Sequence, residues 1–215
     1  MANMCLYMAP GSCSTAANII LEEVEEVFEV AVINIPAGEN RSPEYLAINP
    51  NGTIPSLRLK DGSVLTDLVS IAEWLGRNCR RGRYWPTEPA LEEQARAIMR
   101  HVIRNVHGQG FSRVFVPEAY ACDPQEVAEV VRQGRTIAAD ALEQAASLLA
   151  PEDYALGQFS VADPILFYVE FWADMTDVPL PPRLQDHYRR MLGRDAVYRV
   201  LREEGYDPAR LGQAA

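Results

Sequence analysis

The apolar periodicity of the chain changes once, near residue 80, and that change limits the folds open to it. Before it, strand-like and helix-like stretches alternate. Met4 to Met8 reads as a short strand stopped by Pro10-Gly11, and from Ser14 onward Ala16, Ile19, Ile20, Val24 and Val27 fall on one helical face. Phe28 to Ile35, rich in Val and Ile, predicts a second strand. Ser42-Pro43-Glu44 is a helix start, a capping residue followed by Pro at the first helical position. Ser56 to Leu59 and Val64-Leu65 flank Asp61-Gly62, a hairpin turn signal, and a helix follows from about Asp67 to Asn78. The order is β-α-β-α-β-β-α, an α/β domain over residues 1–80.

The next stretch, CRRGRYWPTEP, holds two prolines and no apolar period, which makes residues 81–90 a linker. Everything after it, residues 91–215, reads as helix. One long helix is expected from Ala90 to about Val106. Asp123-Pro124-Gln125-Glu126 is a capping box opening a helix to about Leu149, and Ser160-Val161-Ala162-Asp163 repeats the device before the apolar run Ile165 to Val169.

Charge and cysteine usage exclude several function classes. With 20 basic against 30 acidic side chains the net charge is −10, which argues against a nucleic-acid or anionic-membrane partner. The cluster Arg77, Arg80, Arg81 and Arg83 is the local exception and reads as a solvated helix end. The first 21 residues carry no side-chain charge, yet Pro10, Gly11, Ser12 and Ser14 interrupt any leader-like apolar core. No run reaches the ~18 apolar residues of a membrane span, so a cytoplasmic protein is expected. Cys5, Cys13, Cys79 and Cys122 form neither a CxxC pair nor a zinc pattern, and the histidines do not cluster, so no metal site is expected.

Cys13 stands out among the cysteines. It lies where a strand turns into a helix, so backbone N–H groups and the positive helix end can stabilise a thiolate there. Ser12 and Ser14 are placed to add hydrogen bonds to the sulfur. A small buried hydrophobe is the other reading of such a residue, and position alone leaves both open. Tyr7, on the first strand, is more consistent with strand core than with a reactive hydroxyl.

Three segments carry a resemblance. LYMAPGSCS, Leu6 to Ser14, resembles the start of bacterial beta-class glutathione transferases, with their cysteine just after the first strand. NPNGTIPSL, Asn49 to Leu57, is similar to the loop of that superfamily that ends in a cis-proline, here Pro55. FSVADPILF, Phe159 to Phe167, is similar to the capping segment that starts its buried C-terminal helix. The segments fall in family order over almost the whole chain. The resemblance implies a thioredoxin-like glutathione-binding domain followed by an all-helical domain, glutathione as cosubstrate, a small-molecule electrophile as acceptor, and a homodimer. It further implies that Cys13 is catalytic and that His107, in VHGQGFSRVF, faces it as a proton acceptor or as an imidazolium. It places Ser12, Ile54, Pro55, Asp67 and Leu68 at the glutathione, with the Ile54 backbone pairing with the cysteinyl backbone and Asp67 taking the ammonium group.

The chain departs from that pattern in three places. Leu68 stands where the family has a Ser or Thr hydroxyl, the loop PAGENRS lacks a lysine that beta-class members carry, and one extra residue separates His107 from Phe111-Ser112. A specialised enzyme acting on another thiol, and a non-catalytic binding protein of the same fold with weak glutathione affinity, are the alternative readings.

Overall fold

The computed structural model describes residues 3–212, which divide into two compact units. The first runs to Trp85 and takes in Gly193–Ala209; the second is Pro86–Leu192 with the chain from Arg210.

In the first unit, strands β1 (Met4–Met8), β2 (Phe28–Val32), β3 (Ser56–Arg58) and β4 (Val64–Leu65) form one sheet in the order β2-β1-β3-β4. β1 pairs in parallel with β2 (Leu6 opposite Val30) and antiparallel with β3 (Leu6 opposite Leu57). Every residue of the central β1 is buried, and so are Ser14 to Leu21 of helix α1 (Ser14–Glu23). That burial explains the uncharged N-terminal stretch: a strand and a helix enclosed on all sides cannot carry unpaired charge. β2 stops at Val32 rather than Ile35, because β1 offers no partner beyond Met8. The Ile33 N–H gives the last sheet-like bond to the Met8 carbonyl at 2.7 Å, and Asn34 and Glu39 then turn the chain through a 2.7 Å bond from the Asn34 N–H to the Glu39 carboxylate. Short α2 (Pro43–Leu46) opens with the expected Ser42 cap, and α3 (Leu68–Asn78) with Asp67 as its cap.

In the second unit, α4 (Pro89–His101) continues without a break as a π-helical stretch, Val102–Phe111, and then α5 (Ser112–Phe115). A π-turn accepts an additional residue inside a helix, so the extra residue between His107 and Phe111 is accommodated within the helix. The wide turn is packed tightly: a Cβ on Gly110 would come 2.7 Å from the Ala138 Cα on α6 (Val127–Leu148), and one on Gly134 would come 3.0 Å from the Gly110 carbonyl. Asp123 and Glu126 form the expected capping box ahead of α6. Ala162 to Ala173 of α7 (Ala162–Met175) are all buried, followed by α8 (Pro182–Leu192).

The last helix, α9 (Asp195–Glu203), belongs to the first unit, a return that a reading by consecutive segments does not anticipate. It buries Ala196, Val197, Val200 and Leu201 and packs on α1. Arg194 grips the Glu23 carboxylate with two bonds of 2.6 and 2.8 Å. Among the described residues no helix is long and apolar enough to cross a membrane.

Candidate functional site

The first unit contains Ser12, Cys13, Ile54, Pro55, Asp67 and Leu68, residues from three separated stretches of sequence, and brings Cys13 against Ile54. The chain leaves β1 through Pro10-Gly11, with Gly11 at φ +70°, and Cys13 becomes the N-cap of α1. Its thiol is buried and donates to the Ile54 carbonyl at 3.5 Å. The Ile54–Pro55 bond is cis, as the resemblance implies.

The acid–base state of Cys13 is the reverse of the expectation. Burial pushes the thiol up to about 12, and the backbone N–H groups of Cys13 and Ser14 pull it down by less. The thiolate expected from the helix position is opposed by desolvation, because among the described residues no cation or side-chain donor offsets it. The serines are engaged elsewhere. Ser14 Oγ donates to the Ala9 carbonyl at 3.0 Å and accepts from the Ala9 N–H at 3.1 Å, while Ser12 Oγ lies 2.6 Å from Ser14 Oγ and accepts the Ser14 N–H at 3.1 Å. They brace the turn instead of donating to the sulfur.

The loop carrying Ile54 is built on Asn49, which is fully buried. Its side-chain amide donates to the Thr53 carbonyl at 2.7 Å and to Ser56 Oγ at 3.1 Å, and its oxygen accepts the Asn51 N–H at 3.1 Å. Tyr45 also donates to the Thr53 carbonyl, at 2.7 Å. Neither residue was singled out from the sequence, although the short NPNG signal was the trace of this arrangement. Asp67 accepts the Ser70 N–H at 2.9 Å, so its carboxylate caps α3. Leu68 is buried and packs inward as the first residue of that helix. Tyr7 is likewise core, its ring edge-on to Tyr45 at 6.0 Å.

Two further side chains reach this turn from the far end of the chain. The Glu204 carboxylate accepts from the Gly11 N–H at 2.8 Å, from Thr15 Oγ1 at 2.7 Å and from Asn18 Nδ2 at 3.1 Å. The Tyr206 hydroxyl occupies the space a side chain at residue 11 would need, 1.9 Å from an ideal Cβ there. Nothing local in the sequence marks either residue, since an acidic helix end is ordinary.

His107 belongs to the second unit, on the π-turn. Its Nδ1 lies 3.2 Å from the Tyr168 hydroxyl, and its ring stands edge-on to Trp172 at 4.9 Å. Phe111 and Phe115 also meet Trp172, at 5.5 and 4.9 Å. Burial pulls the imidazole down to about 4, so His107 is neutral at physiological pH and the imidazolium role falls away. Deeper in the same unit, His187 bonds Glu170 through Nδ1 at 2.9 Å and Asp163 through Nε2 at 3.1 Å. Asp163 also accepts the Ala155 and Ser160 N–H groups at 2.7 and 2.6 Å, so the expected capping segment is tied to a histidine that the sequence left unassigned.

A family model for the N-terminal domain of glutathione S-transferase matches residues 11–78. The chain is 28% identical to glutathione S-transferase GstA of Escherichia coli O157:H7 over 94% of its own length and 99% of the relative's. A glutathione transferase homologue from Sulfitobacter, solved with bound glutathione, superposes with a TM-score of 0.85 at 26% identity, covering 94% of this chain and 99% of that one. BphK, a bacterial glutathione transferase solved as a ternary complex, superposes with a TM-score of 0.79 at 30% identity over 94% and 99% of the two chains.

Proposed function

The chain belongs to the glutathione transferase superfamily, and we propose that it joins glutathione to a small electrophile with Cys13 at the reacting sulfur. The observation that carries this reading is the Cys13 thiol at 3.5 Å from the carbonyl of Ile54, the residue before the cis-proline. The Ile54 backbone is left to pair with the cysteinyl part of the tripeptide. Asp67 takes the ammonium group, and the free N–H groups at the start of α3 take the neighbouring carboxylate. Ser12 serves through the turn it braces.

A buried thiol that keeps its proton acts as a donor. The S–H that Cys13 gives to Ile54 can be given to the glutathione sulfur, favouring that sulfur's ionised form. The glutathione thiolate then supplies the electron pair of the new carbon–sulfur bond, and the leaving group departs with its own pair. The proton released when glutathione ionises passes to solvent water, because burial holds the His107 imidazole down to about 4 and keeps it from taking up a proton at physiological pH. Conjugation is thereby favoured over a mixed disulfide at Cys13, which requires the cysteine itself to ionise.

We further propose a homodimer in the cytoplasm. Two features support an alternative: Leu68 supplies no hydroxyl to the glutathione carboxylate and the loop PAGENRS lacks a lysine, which suits an enzyme for another thiol or a binding protein.

Conjugation of glutathione to an aryl halide, measured in wild type and Cys13→Ala, tests the reading. A rate that falls at least about ten-fold in the variant supports it. An unchanged rate removes Cys13 from the chemistry, and no detectable glutathione binding in the wild type hands the site to the alternatives.

A further inference from the structure

We propose that Glu204 and Tyr206 are positioning residues for the reaction, fixing the Pro10–Ser14 turn and with it the Cys13 sulfur. The inference rests on the reading of Cys13 given above.

One carboxylate spans the cysteine. Oε2 of Glu204 takes the Gly11 N–H, two residues before Cys13, and the Thr15 hydroxyl, two residues after it, while Oε1 takes the Asn18 amide one helical turn further on. The turn and the first residues of α1 are therefore tied to a single rigid group. Thr15 and Asn18 are buried, so their donors have no solvent to fall back on. Tyr206 adds a steric stop. The Gly205 and Tyr206 N–H groups cap the end of α9, at 3.2 Å to Arg202 and 2.8 Å to Leu201, and this cap aims the phenol at the open face of Gly11. With φ +70° at Gly11 and the hydroxyl above it, the turn has no room to relax toward Tyr206.

Docking of α9 does not require any of this. Its apolar face and the ion pairs Arg194–Glu23 and Arg199–Glu22 already hold the helix on α1. Glu204 and Tyr206 lie just beyond its C-terminal end, and both are directed at the turn before Cys13. The charge is also placed with consequence. A carboxylate that draws on donors at the start of α1 competes with the sulfur for the positive helix end. Replacing it should alter how readily Cys13 loses its proton as well as where the sulfur sits.

The test follows site-resolved iodoacetamide alkylation of Cys13 by mass spectrometry across pH, together with the glutathione Kd, in the full-length protein. Glu204→Gln keeps the shape but offers one acceptor oxygen where two are needed. It should displace the Cys13 pH–rate profile and weaken glutathione binding by about five-fold or more. Tyr206→Ala, which removes the steric stop above Gly11, should change the same two quantities less. Arg194→Gln removes an anchor of α9 without touching the turn and should lower the melting temperature while leaving the profile in place. A Glu204→Gln profile that overlays the wild type overturns the proposal, and so does an equal displacement by Arg194→Gln, which would reduce the effect to helix docking. If wild-type Cys13 neither alkylates at any pH nor influences glutathione binding, the reading of Cys13 falls first and the proposal with it. A reactive wild type with an inert Glu204→Gln change sinks the proposal alone.

Discussion

The two units bury carboxylates by opposite means. In the first, Glu204 is held by three neutral donors, a backbone N–H, a hydroxyl and an amide. In the second, Asp163 and Glu170 face one imidazole, with His187 bonded to both. Burial raises the carboxyl of Glu204, and its three hydrogen bonds lower it by less. Burial by itself pulls His187 down, but Glu170 and Asp163 outweigh it and hold the imidazole up at about 10. The cation sits in the unit whose centre is structural. Around the Cys13 turn the fold uses dipoles, which restrain a loop without placing a full positive charge beside a sulfur whose protonation matters. A carboxylate held by dipoles tolerates losing its charge; one of two carboxylates sharing a cation does not tolerate losing the cation.

The largest test of that contrast is His187→Ala. It leaves Asp163 and Glu170 buried without their cation and should cost about 3–5 kcal/mol, read by calorimetric unfolding. A loss under about 1 kcal/mol would show that the pair carries no net charge worth compensating. The pH dependence gives a second reading of the same triad. A folded-state His187 value raised from 6.5 to about 10 means its stabilisation is complete below 6.5 and is lost as the pH climbs through 10. Glu170, raised chiefly by burial, acts in the same direction at lower pH. Wild type should therefore melt at progressively lower temperature from pH 6.5 to 10, and in His187→Gln most of that slope should vanish.

Leu68→Ser comes next. With Leu68 buried at the start of α3, the substitution should cost about 2–4 kcal/mol of stability, because it removes a packed side chain and buries a hydroxyl. The family pattern has a hydroxyl at this position, and a serine would restore one beside the start of the helix. Asp67 already supplies the cap, so no capping gain is expected. Calorimetric titration of a stable preparation would show whether the hydroxyl helps binding at all, and a tightening of about five-fold would mean that the residue can turn toward the ligand.

Glu204→Gln should cost only about 1 kcal/mol of global stability, since the neutral donors around it survive and most find a partial acceptor. A loss as large as that of His187→Ala would erase the contrast between the two sites.

The sequence made local features legible and distant ones invisible. Helix caps at Ser42 and Asp123 could be read because a cap and the N–H groups it serves lie within four residues. The central strand and α1 were marked by an uncharged stretch, and the cis bond before Pro55 by a short recognisable loop. The protonation of Cys13 was misread because position relative to a helix is a sequence property, whereas desolvation depends on everything packed around the sulfur. The return of α9 and the reach of Glu204 to Gly11 and Thr15 involve residues far apart in the chain, and no periodicity encodes such a pairing. His187 was passed over for the same reason, as its partners Glu170 and Asp163 lie on a different helix.

Asp67 offers the smallest structural effect and the sharpest separation of fold from function. It is a third carboxylate in a third setting, exposed at the start of α3 and bonded to the Ser70 N–H at 2.9 Å. Asparagine caps a helix about as well as aspartate, so Asp67→Asn should shift stability by about 0.3 kcal/mol or less. The loss of charge beside the helix N-terminus adds a contribution of similar size. Binding is a different matter. If Asp67 holds the ammonium group of glutathione, a charge-assisted hydrogen bond is replaced by a neutral one, and affinity should fall by about five- to ten-fold. Calorimetric titration of glutathione, paired with thermal unfolding of the same preparations, reads both effects. Affinity that follows the small change in stability would confine Asp67 to its capping role and move ammonium recognition to another acceptor. A fall in affinity with the melting temperature unmoved would give this carboxylate a purpose that neither Glu204 nor the His187 triad shares, since it would act on the ligand directly and leave the fold as it was.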